Sequence, residues 1–344
     1  MNLECALEKN LEDIGFYILS NKRAMNSSVN SSLYRCEMIL LDNCNFNCPY
    51  CRDIRKDCKG TVPFKEASDC LFFWINDGLK NVRFSGGEPT LYNGLIDLVK
   101  QAKLGDVERI AISTNGYSDT NLYLQLIKEG VNDISISLDA CCSSVGEKMS
   151  GGIKNSWNKV VNNIKILSKK TYVTVGMVFN EDNIQDCMDS VLFVDSLEVS
   201  DIRVIPSAQY NEALLVLCDL SEDILNKYPI LQYRIENLRK GSNVRGMNKE
   251  DSNTCWLAID DMAVAGGKNR LKHFPCIIYL REGGKPIGNV NKNMRKDREK
   301  WLINHNPFKD PICSANCLDV CTHFNRVADY RNYEQNTIYA SKFF

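Results

Sequence analysis

The sequence predicts an α/β fold, in which a parallel sheet is covered by helices. From residue 34 onward, short β-branched runs alternate with runs of helical periodicity. Six such alternations are typical of an open doubly wound sheet or of a partial barrel. The polar, glycine-containing run 241–254 interrupts the pattern, and an irregular, cysteine-rich segment follows it. We therefore expect a large α/β core with a smaller C-terminal unit.

The individual elements follow from residue type and spacing. Strands are predicted over 35–41, 81–85, 108–113, 133–138, 171–179 and 201–206. Helices are predicted over 64–79, 93–104, 120–130, 156–170 and 183–196, with another near 221–240. An amphipathic helix is predicted over 5–24, before a polar linker. These elements divide the chain into an N-terminal helix and linker (1–34), the core (35–240) and the C-terminal unit (241–344).

Composition restricts the classes of function. The 344 residues include 42 Lys and Arg and 43 Asp and Glu, so the net charge of −1 lacks the general basic excess of nucleic-acid binders. The N-terminal residues lack the pattern of a signal peptide, and no stretch is apolar enough to span a membrane. We therefore expect a cytoplasmic protein. In that compartment thiols stay reduced, so 16 cysteines beside 3 histidines favour iron–sulfur sites over mixed Cys/His zinc sites.

Three cysteines follow the first predicted strand. The segment LLDNCNFNCPYC places Cys44, Cys48 and Cys51 within eight residues. Three thiolates can hold a cubane cluster and leave its fourth iron without a protein ligand, open to a substrate amine and carboxylate. By spacing alone, half of a zinc ribbon or a surface redox pair stays open, with Cys58 as a further zinc ligand.

A glycine motif follows the second predicted strand. In FSGGEPTL, residues 84–91, adjacent glycines let the backbone approach a ligand closely, and Glu88 offers a carboxylate acceptor. The alternative interpretation is a tight turn from strand to helix with an acidic helix start.

Polar side chains also mark the ends of later strands, where parallel α/β folds bind ligands. These residues are Ser113, Thr114, Asn115, Ser137, Asp139 and Asn180. Any one of them could instead cap the following helix.

The cysteine spacing CxxxCxxC after a first strand, followed by GGEP after the second, resembles the radical S-adenosylmethionine (SAM) superfamily. The resemblance covers residues 35 to about 206 and implies a partial (β/α)6 barrel. It implies that the three cysteines hold a [4Fe–4S] cluster that binds SAM, and that Tyr50 packs beside the adenine. It also implies that Gly86, Gly87, Glu88 and Pro89 accept hydrogen bonds from the SAM ammonium group, and that Arg203 pairs with the SAM carboxylate.

A second group of cysteines lies beyond residue 254: Cys255, Cys276, Cys313, Cys317 and Cys321. Cys255 and Cys276 flank a hairpin-like stretch, and a helix is expected around Trp301. These thiols could simply be buried, or form one stripe of a helix. Their concentration in an irregular segment favours a metal in place of a missing core.

The layout of this second group resembles the SPASM and twitch extensions of radical SAM enzymes. It departs from the seven-cysteine SPASM pattern, because it has five cysteines and the spacing CxxxCxxxC. The resemblance therefore favours one auxiliary [4Fe–4S] cluster, with Cys255, Cys276 and two of Cys313, Cys317 and Cys321 as ligands.

The resemblance implies reductive cleavage of SAM to a 5′-deoxyadenosyl radical, which abstracts a substrate hydrogen atom and leads to oxidation or rearrangement. It also implies a flavodoxin- or ferredoxin-type electron donor. No further catalytic residue is assigned, and the scattered histidines are interpreted as structural. A small-molecule or nucleoside-type substrate ranks first.

Three alternatives stay open: a peptide substrate, a nucleic-acid base, and a non-enzymatic iron–sulfur or zinc protein. The short segment before the core weakens the peptide alternative. A nucleic-acid substrate would use a phosphate-facing patch of Arg281, Lys285, Arg295, Lys296, Arg298 and Lys300.

Overall fold

One mixed sheet organises the molecule. The computed structural model describes residues 21–51, 53–181, 183–207, 211–267 and 270–340. Within them, nine strands are numbered in chain order: β1 (Arg35–Ile39), β2 (Asn81–Ser85), β3 (Arg109–Thr114), β4 (Asp133–Ser137), β5 (Tyr172–Phe179), β6 (Asp201–Pro206), β7 (Asp261–Ala265), β8 (Lys272–Phe274) and β9 (Gly288–Asn289). Their order across the sheet is β6-β5-β4-β3-β2-β1-β7-β8-β9.

The first six strands are parallel and lie side by side in chain order. A doubly wound sheet reverses its strand order at one point, and these six strands show no reversal. Because crossovers are right-handed, an unreversed order places all connecting helices on one face and leaves the other face for a lumen. The predicted partial barrel is confirmed, and the doubly wound alternative is wrong.

The helices of the N-terminal segment and core are α1 (Asn21–Asn26), α2 (Phe64–Asn76), α3 (Leu95–Leu104), α4 (Thr120–Glu129), α5 (Ser143–Met149), α6 (Ser156–Leu167), α7 (Cys187–Asp195), α8 (Glu222–Leu225) and α9 (Pro229–Arg239). Their ends have local causes. The Asp119 carboxylate accepts the Asn121 N–H at 2.8 Å and caps the start of α4. Gly130 ends α4 with a φ of 138°, which favours glycine.

The two faces of the core sheet differ in chemistry. Met38, Phe84 and Ile112 are fully buried in the main hydrophobic cluster, which lies between the sheet and the helices. The alternating positions, such as Glu37 and Arg83, carry charged side chains on the other face. Because side chains alternate along a strand, the apolar positions hold the helices and the remaining positions line the lumen.

The C-terminal residues continue the core sheet. Their helices are α10 (Leu257–Asp260), α11 (Ile277–Arg281), α12 (Met294–Asn304), α13 (Pro311–Asn316) and α14 (Asp319–Ala340). Strand β7 pairs parallel to β1, and β8 and β9 extend it antiparallel. Helix α1 packs against α14, where Ala24, Val320 and Phe324 share a small apolar cluster. The C-terminal segment is therefore fused to the core through the free edge of β1.

Most predicted elements are confirmed. The strands predicted over 81–85 and 201–206 keep those bounds, and the hairpin after Cys255 is β7–β8. The helix predicted near 221–240 is two helices, because Pro229 begins a new one. Helix α5 was not predicted. Residues 5–20 of the helix predicted over 5–24 lie outside the described residues. In the described part of the chain, the helices are too short or too polar to cross a membrane.

Candidate functional site

The loop after β1, residues 40–51, is held against the end of β2 by main-chain hydrogen bonds. The Leu40 N–H donates to the Ser85 carbonyl at 2.9 Å. The Gly87 N–H donates to the Leu41 carbonyl at 2.7 Å, and the Glu88 N–H donates to the Asn43 carbonyl at 2.9 Å. The protein backbone itself therefore docks the predicted cluster loop onto the glycine motif.

The close contact between the cysteine loop and this motif requires both of its glycines. A Cβ on Gly86 would lie 2.6 Å from the Leu41 carbonyl oxygen. A Cβ on Gly87 would lie 2.3 Å from the Asn43 carbonyl oxygen and 2.5 Å from that of Asp42. Backbone atoms cannot yield as a flexible side chain can, so only glycine fits at either position. The structure thus gives the glycines a role that the sequence did not predict.

Glu88 links the ends of β2 and β3. Its carboxylate accepts the Thr114 hydroxyl at 2.7 Å, the Asn115 N–H at 2.7 Å and the Thr90 hydroxyl at 2.6 Å. Burial raises the pKa of Glu88, although these hydrogen bonds lower it in part. The carboxylate also accepts the Thr90 N–H and so caps the turn Pro89–Leu91. The structure therefore also contains the acidic turn that was the alternative interpretation of this motif.

The three cysteines of the loop are spread out and partly accessible. Cys44 and Cys48 are half-buried and Cys51 is exposed. Main-chain donors already point at two sulfurs: the Phe46 N–H lies 3.4 Å from Cys44 Sγ, and the Asp53 N–H lies 3.4 Å from Cys51 Sγ. Burial, with Asp139 and the other two thiols, raises the pKa of Cys48 to about 12. A thiolate at that position therefore needs a cation, because protein positive charge does not supply one.

Tyr50 and Asp139 connect the cysteine loop to β4 and β5. The Tyr50 hydroxyl donates to one Asp139 oxygen, and the Val178 N–H donates to the other at 2.6 Å. Burial raises the pKa of Asp139 to about 6. The aromatic residue before the third cysteine is thus fixed by a carboxylate at the end of a neighbouring strand, as the predicted convergence at this end of the sheet requires.

The other predicted polar residues fall into two groups. Asn115 joins the cysteine loop: its side-chain amide donates to the Asn45 side chain at 2.6 Å and lies 3.8 Å from Cys44 Sγ. Asn180 lies just beyond β5, where its N–H donates to the Asn183 side chain at 2.8 Å. Ser137 ends β4 and is exposed. Asn115 therefore contacts the cysteine loop, whereas Asn180 and Ser137 lie at the same end of the sheet.

The inner face of the sheet is charged. Glu37, Arg83 and Asp133 are all buried, and Arg83 lies 3.4 Å from Asp133. The Glu37 carboxylate accepts the Ser85 hydroxyl at 2.8 Å, and Arg83 donates to the Ser113 hydroxyl at 2.9 Å. Buried charges persist only where partners compensate them. Ser113 thus contacts the charged side chains of the lumen through Arg83. A lumen lined by such groups suits polar ligands.

Arg203 lies in the same lumen, on β6. Its guanidinium group is close to Gly176, since a Cβ there would lie 3.5 Å from Nη2. Burial, together with the nearby Arg83, lowers the pKa of Arg203 to about 10. Burial acts to raise the pKa of Glu37, but Arg281, Arg35 and Arg83 outweigh it and the pKa is lowered. Glu37 is therefore an ionised carboxylate facing several arginines.

The five C-terminal cysteines converge on one cavity, which all of them line: Cys255, Cys276, Cys313, Cys317 and Cys321. The remaining wall is largely apolar, with Leu257, Trp301 and Leu318 among its residues. The Tyr279 N–H lies 3.4 Å from Cys276 Sγ and serves as a donor to that sulfur. Residues that are up to 66 positions apart in sequence (255 to 321) thus present thiols to a common space.

These thiols are strongly disfavoured as anions without a cation. Burial and the neighbouring Cys321 raise the pKa of Cys255 to about 11. A hydrogen bond with Cys321, then burial, raise the pKa of Cys317. Burial likewise raises the pKa of Cys276 and of Cys313. Clustered thiols in an apolar wall are costly to ionise unless a metal balances the charge, so the donor set fits a metal centre.

The sequence analysis did not predict a role for two residues that lie beside this cavity. His305 Nε2 lies 3.4 Å from Cys313 Sγ, and its ring stacks on Trp301. Asp310 caps α13 and accepts the Tyr279 hydroxyl at 2.9 Å. In the described part of the chain, His305, Asp310 and Cys313 are the one group of three or more His, Cys, Asp or Glu residues whose possible ligand atoms all lie within 4.8 Å of one another. No sequence spacing marks this contact.

The suggested phosphate-facing patch is not one surface. Arg298 is buried and donates to the Phe274 carbonyl at 3.1 Å. Arg295 forms an ion pair with Asp77 at 2.8 Å. Arg281 acts instead on Glu37 in the lumen. The three arginines of the patch therefore lie in three different environments, which disfavours a nucleic-acid interface built from them.

Residues 38–194 match the family described as the Radical SAM superfamily. These residues, just under half of the chain, form a Radical SAM domain, and enzymes of that superfamily use a [4Fe–4S] cluster and SAM.

The chain is also similar to two curated proteins in sequence and to one solved structure in fold. It is 26% identical over 290 residues to the GTP 3′,8-cyclase of Helicobacter pylori (strain HPAG1), covering 78% of this chain and 88% of that protein. It is 30% identical over 165 residues to molybdenum cofactor biosynthesis protein 1 of Drosophila melanogaster, covering 44% of this chain but only 28% of that protein. The structure of anSMEcpe with bound AdoMet has a TM-score of 0.59 at 15% identity, covering 88% of this chain and 97% of that one. The last similarity concerns the fold alone.

Proposed function

We propose that this protein reductively cleaves SAM at a [4Fe–4S] cluster held by Cys44, Cys48 and Cys51. The 5′-deoxyadenosyl radical would then abstract a hydrogen atom from a small-molecule or nucleoside-type substrate. The observation that carries the proposal is the docking of the cysteine loop at the carboxyl end of a sheet with a charged lumen. The Radical SAM domain supports the cofactors, and the lumen supports a polar substrate.

The three cysteines fit a cluster better than a single ion. In a tetrahedral zinc site the sulfurs lie about 3.8 Å apart, given a Zn–S distance of roughly 2.3 Å. Among the described residues, no three cysteine sulfurs lie within 4.8 Å of one another. A cubane spaces its ligands more widely, and three ligands leave one iron open for SAM. The chemistry that such a cluster supplies is one-electron reduction of the sulfonium group of SAM.

The chain's own part is to hold and orient SAM and to keep water away. The residues proposed for this are Tyr50, Gly86, Gly87, Glu88, Pro89, Ser113, Asn115, Ser137, Asp139, Asn180 and Arg203. Hydrogen bonds already join Tyr50 to Asp139, and Asn115 to both Glu88 and the cysteine loop. A connected network of this kind supports a preorganised binding surface, because its members restrict one another.

We place one auxiliary [4Fe–4S] cluster in the C-terminal cavity. Cys255 and Cys276 supply two ligands, and two of Cys313, Cys317 and Cys321 supply the others. Five thiols that line one cavity and have raised pKa values support a metal centre, and the resemblance to auxiliary-cluster extensions favours iron–sulfur. Such a cluster offers an electron acceptor for a substrate radical, and both clusters imply a flavodoxin- or ferredoxin-type donor.

The substrate proposal rests on the lumen. Buried Glu37, Arg83 and Asp133 provide donors and acceptors for a polar molecule. Several similar proteins are named GTP 3′,8-cyclase, an activity that rearranges a nucleotide. This similarity favours the hypothesis of a nucleoside-type substrate. The outcome would be oxidation or rearrangement of that substrate.

The test is anaerobic reconstitution of the full chain, followed by iron analysis and reduction with dithionite in the presence of SAM. We expect about eight irons per chain and formation of 5′-deoxyadenosine. About one or two zincs per chain with intact SAM would contradict the proposal and favour a structural metal protein.

The matched variant is Cys48→Ala. It should abolish 5′-deoxyadenosine formation and retain roughly half of the iron, since the second group of cysteines is untouched. Cys58→Ala is the control, because Cys58 is buried in a separate apolar cluster with Ile39 and Phe274. Equal loss of iron in both variants would contradict the ligand assignment.

A further inference from the structure

Helix α11 lies on the lumen side of the sheet. Leu280 packs in one apolar cluster with Ile39, Ala263 and Ala265. These three occupy the same alternating positions of β1 and β7 as Glu37, because residues two apart on a strand share a face. The helix therefore covers the inner face of β1 and β7 near their carboxyl ends, and Arg281 is its last residue.

Arg281 differs from the other arginines of the lumen. Arg35 pairs with Asp261 at 3.1 Å, and Arg83 pairs with Asp133 at 3.4 Å. Across the described ranges, Arg281 forms no hydrogen bond and no ion pair, and its side chain is exposed. It nevertheless acts electrostatically on Glu37 and on Arg203. Arg281 therefore carries an exposed, uncommitted guanidinium group at the end of a helix that covers the lumen face.

We propose that Arg281 binds an anionic group, a carboxylate or a phosphate, of the substrate. The inference rests on the proposed function and specifies its substrate class. A guanidinium group pairs with such an oxyanion in bidentate geometry, and the pair is strengthened where water is partly excluded. Arg281 is a substrate-specificity residue supplied by the C-terminal segment to a lumen built by the core.

Glu37 fixes the orientation of that substrate. Its ionised carboxylate lies deeper in the lumen and repels an anion that would pass Arg281. It accepts hydrogen bonds, as it does from Ser85. The substrate therefore carries its anionic group toward the opening and a hydroxyl or ammonium donor toward the interior.

The test is arginine labelling of the anaerobically reconstituted full chain with phenylglyoxal, mapped by mass spectrometry. Labelling is compared in chloride, acetate and inorganic phosphate at equal ionic strength. We expect phosphate or acetate to slow labelling of Arg281 roughly tenfold, and whichever anion protects identifies the class. Exposed Arg270 is the internal control and should label equally in all three salts.

A matched pair of variants completes the test. Glu37→Gln should strengthen protection of Arg281 by the same anion, since a repelling charge is removed. Lys285→Ala, an exposed residue near the same helix, should leave the protection unchanged. Equal labelling of Arg281 in all three salts would overturn the inference. This readout requires no SAM turnover, so failure of SAM cleavage would instead count against the proposed function.

Discussion

The two cysteine sites are built in different ways. The core site places Cys44, Cys48 and Cys51 on one short loop, which main-chain hydrogen bonds fasten to the glycine motif. The C-terminal site gathers five cysteines, from 255 to 321, around one largely apolar cavity. At the first site the protein positions the thiols, whereas at the second the thiols surround the space that a metal centre would fill.

The two sites should therefore depend on their metals in different ways. A loop held by backbone hydrogen bonds keeps its shape when thiols are protonated. A group of thiols whose pKa values are raised by burial resists ionisation, and the bound metal then contributes folding free energy. An open coordination position suits the first arrangement, and a closed supporting site suits the second.

The largest effect should come from Cys276→Ala. Removing a ligand of the C-terminal site should release roughly half of the iron and raise amide hydrogen exchange in α13 and the start of α14 by about a hundredfold or more. Exchange in β1–β5 should stay at the wild-type level, because the core sheet does not rest on that cavity. The measurement is hydrogen exchange by mass spectrometry with parallel iron analysis. If Cys48→Ala loosened the same segments as strongly, the contrast between the two sites would be wrong.

A smaller effect is expected from Gly87→Ala at the core site. The new Cβ would lie 2.3 Å from the Asn43 carbonyl oxygen, so the cysteine loop must shift. We expect a loss of about 1–3 kcal/mol in the free energy of unfolding and loss of core-site iron alone. Chemical denaturation and iron analysis measure both.

Gly241→Ala is the control for that substitution. Gly241 has a φ of 75° and nothing within 4 Å of an added Cβ. It should lose about 1 kcal/mol of stability and keep all its iron. Iron loss in this variant would show that strain anywhere in the backbone, rather than the loop contact, releases the cluster.

A further effect, confined to acid, concerns a buried histidine. His273 on β8 is fully buried, and burial, with Arg298 nearby, lowers its pKa to about 3. The unfolded chain binds a proton below pH of about 6.5, whereas the folded chain does not, so stability falls by roughly 1.4 kcal/mol per pH unit as the pH drops toward 3. His273→Gln should reduce that slope between pH 6.5 and 5, as measured by urea unfolding. An unchanged slope would place the acid sensitivity elsewhere.

Secondary structure was largely predictable, because local patterns determine it. The run 81–85 alternates buried residues toward the helices with polar ones toward the lumen, and the structure has a strand with those bounds. The division of 221–240 into two helices was predictable in principle from Pro229. The pairing of β7 with β1 was not, because no local pattern states which strand fills a free sheet edge.

Periodicity and spacing are local properties of the chain, so the α/β class, the order of the core elements and the residues of both cysteine groups could be read from the sequence alone. Packing in three dimensions was needed to show that Gly87 seats the cysteine loop, that His305 contacts Cys313, and that β7 pairs with β1. Each of these contacts joins segments separated by a strand, a helix or a turn. Their proximity arises from packing around the sheet, which no spacing along the chain encodes.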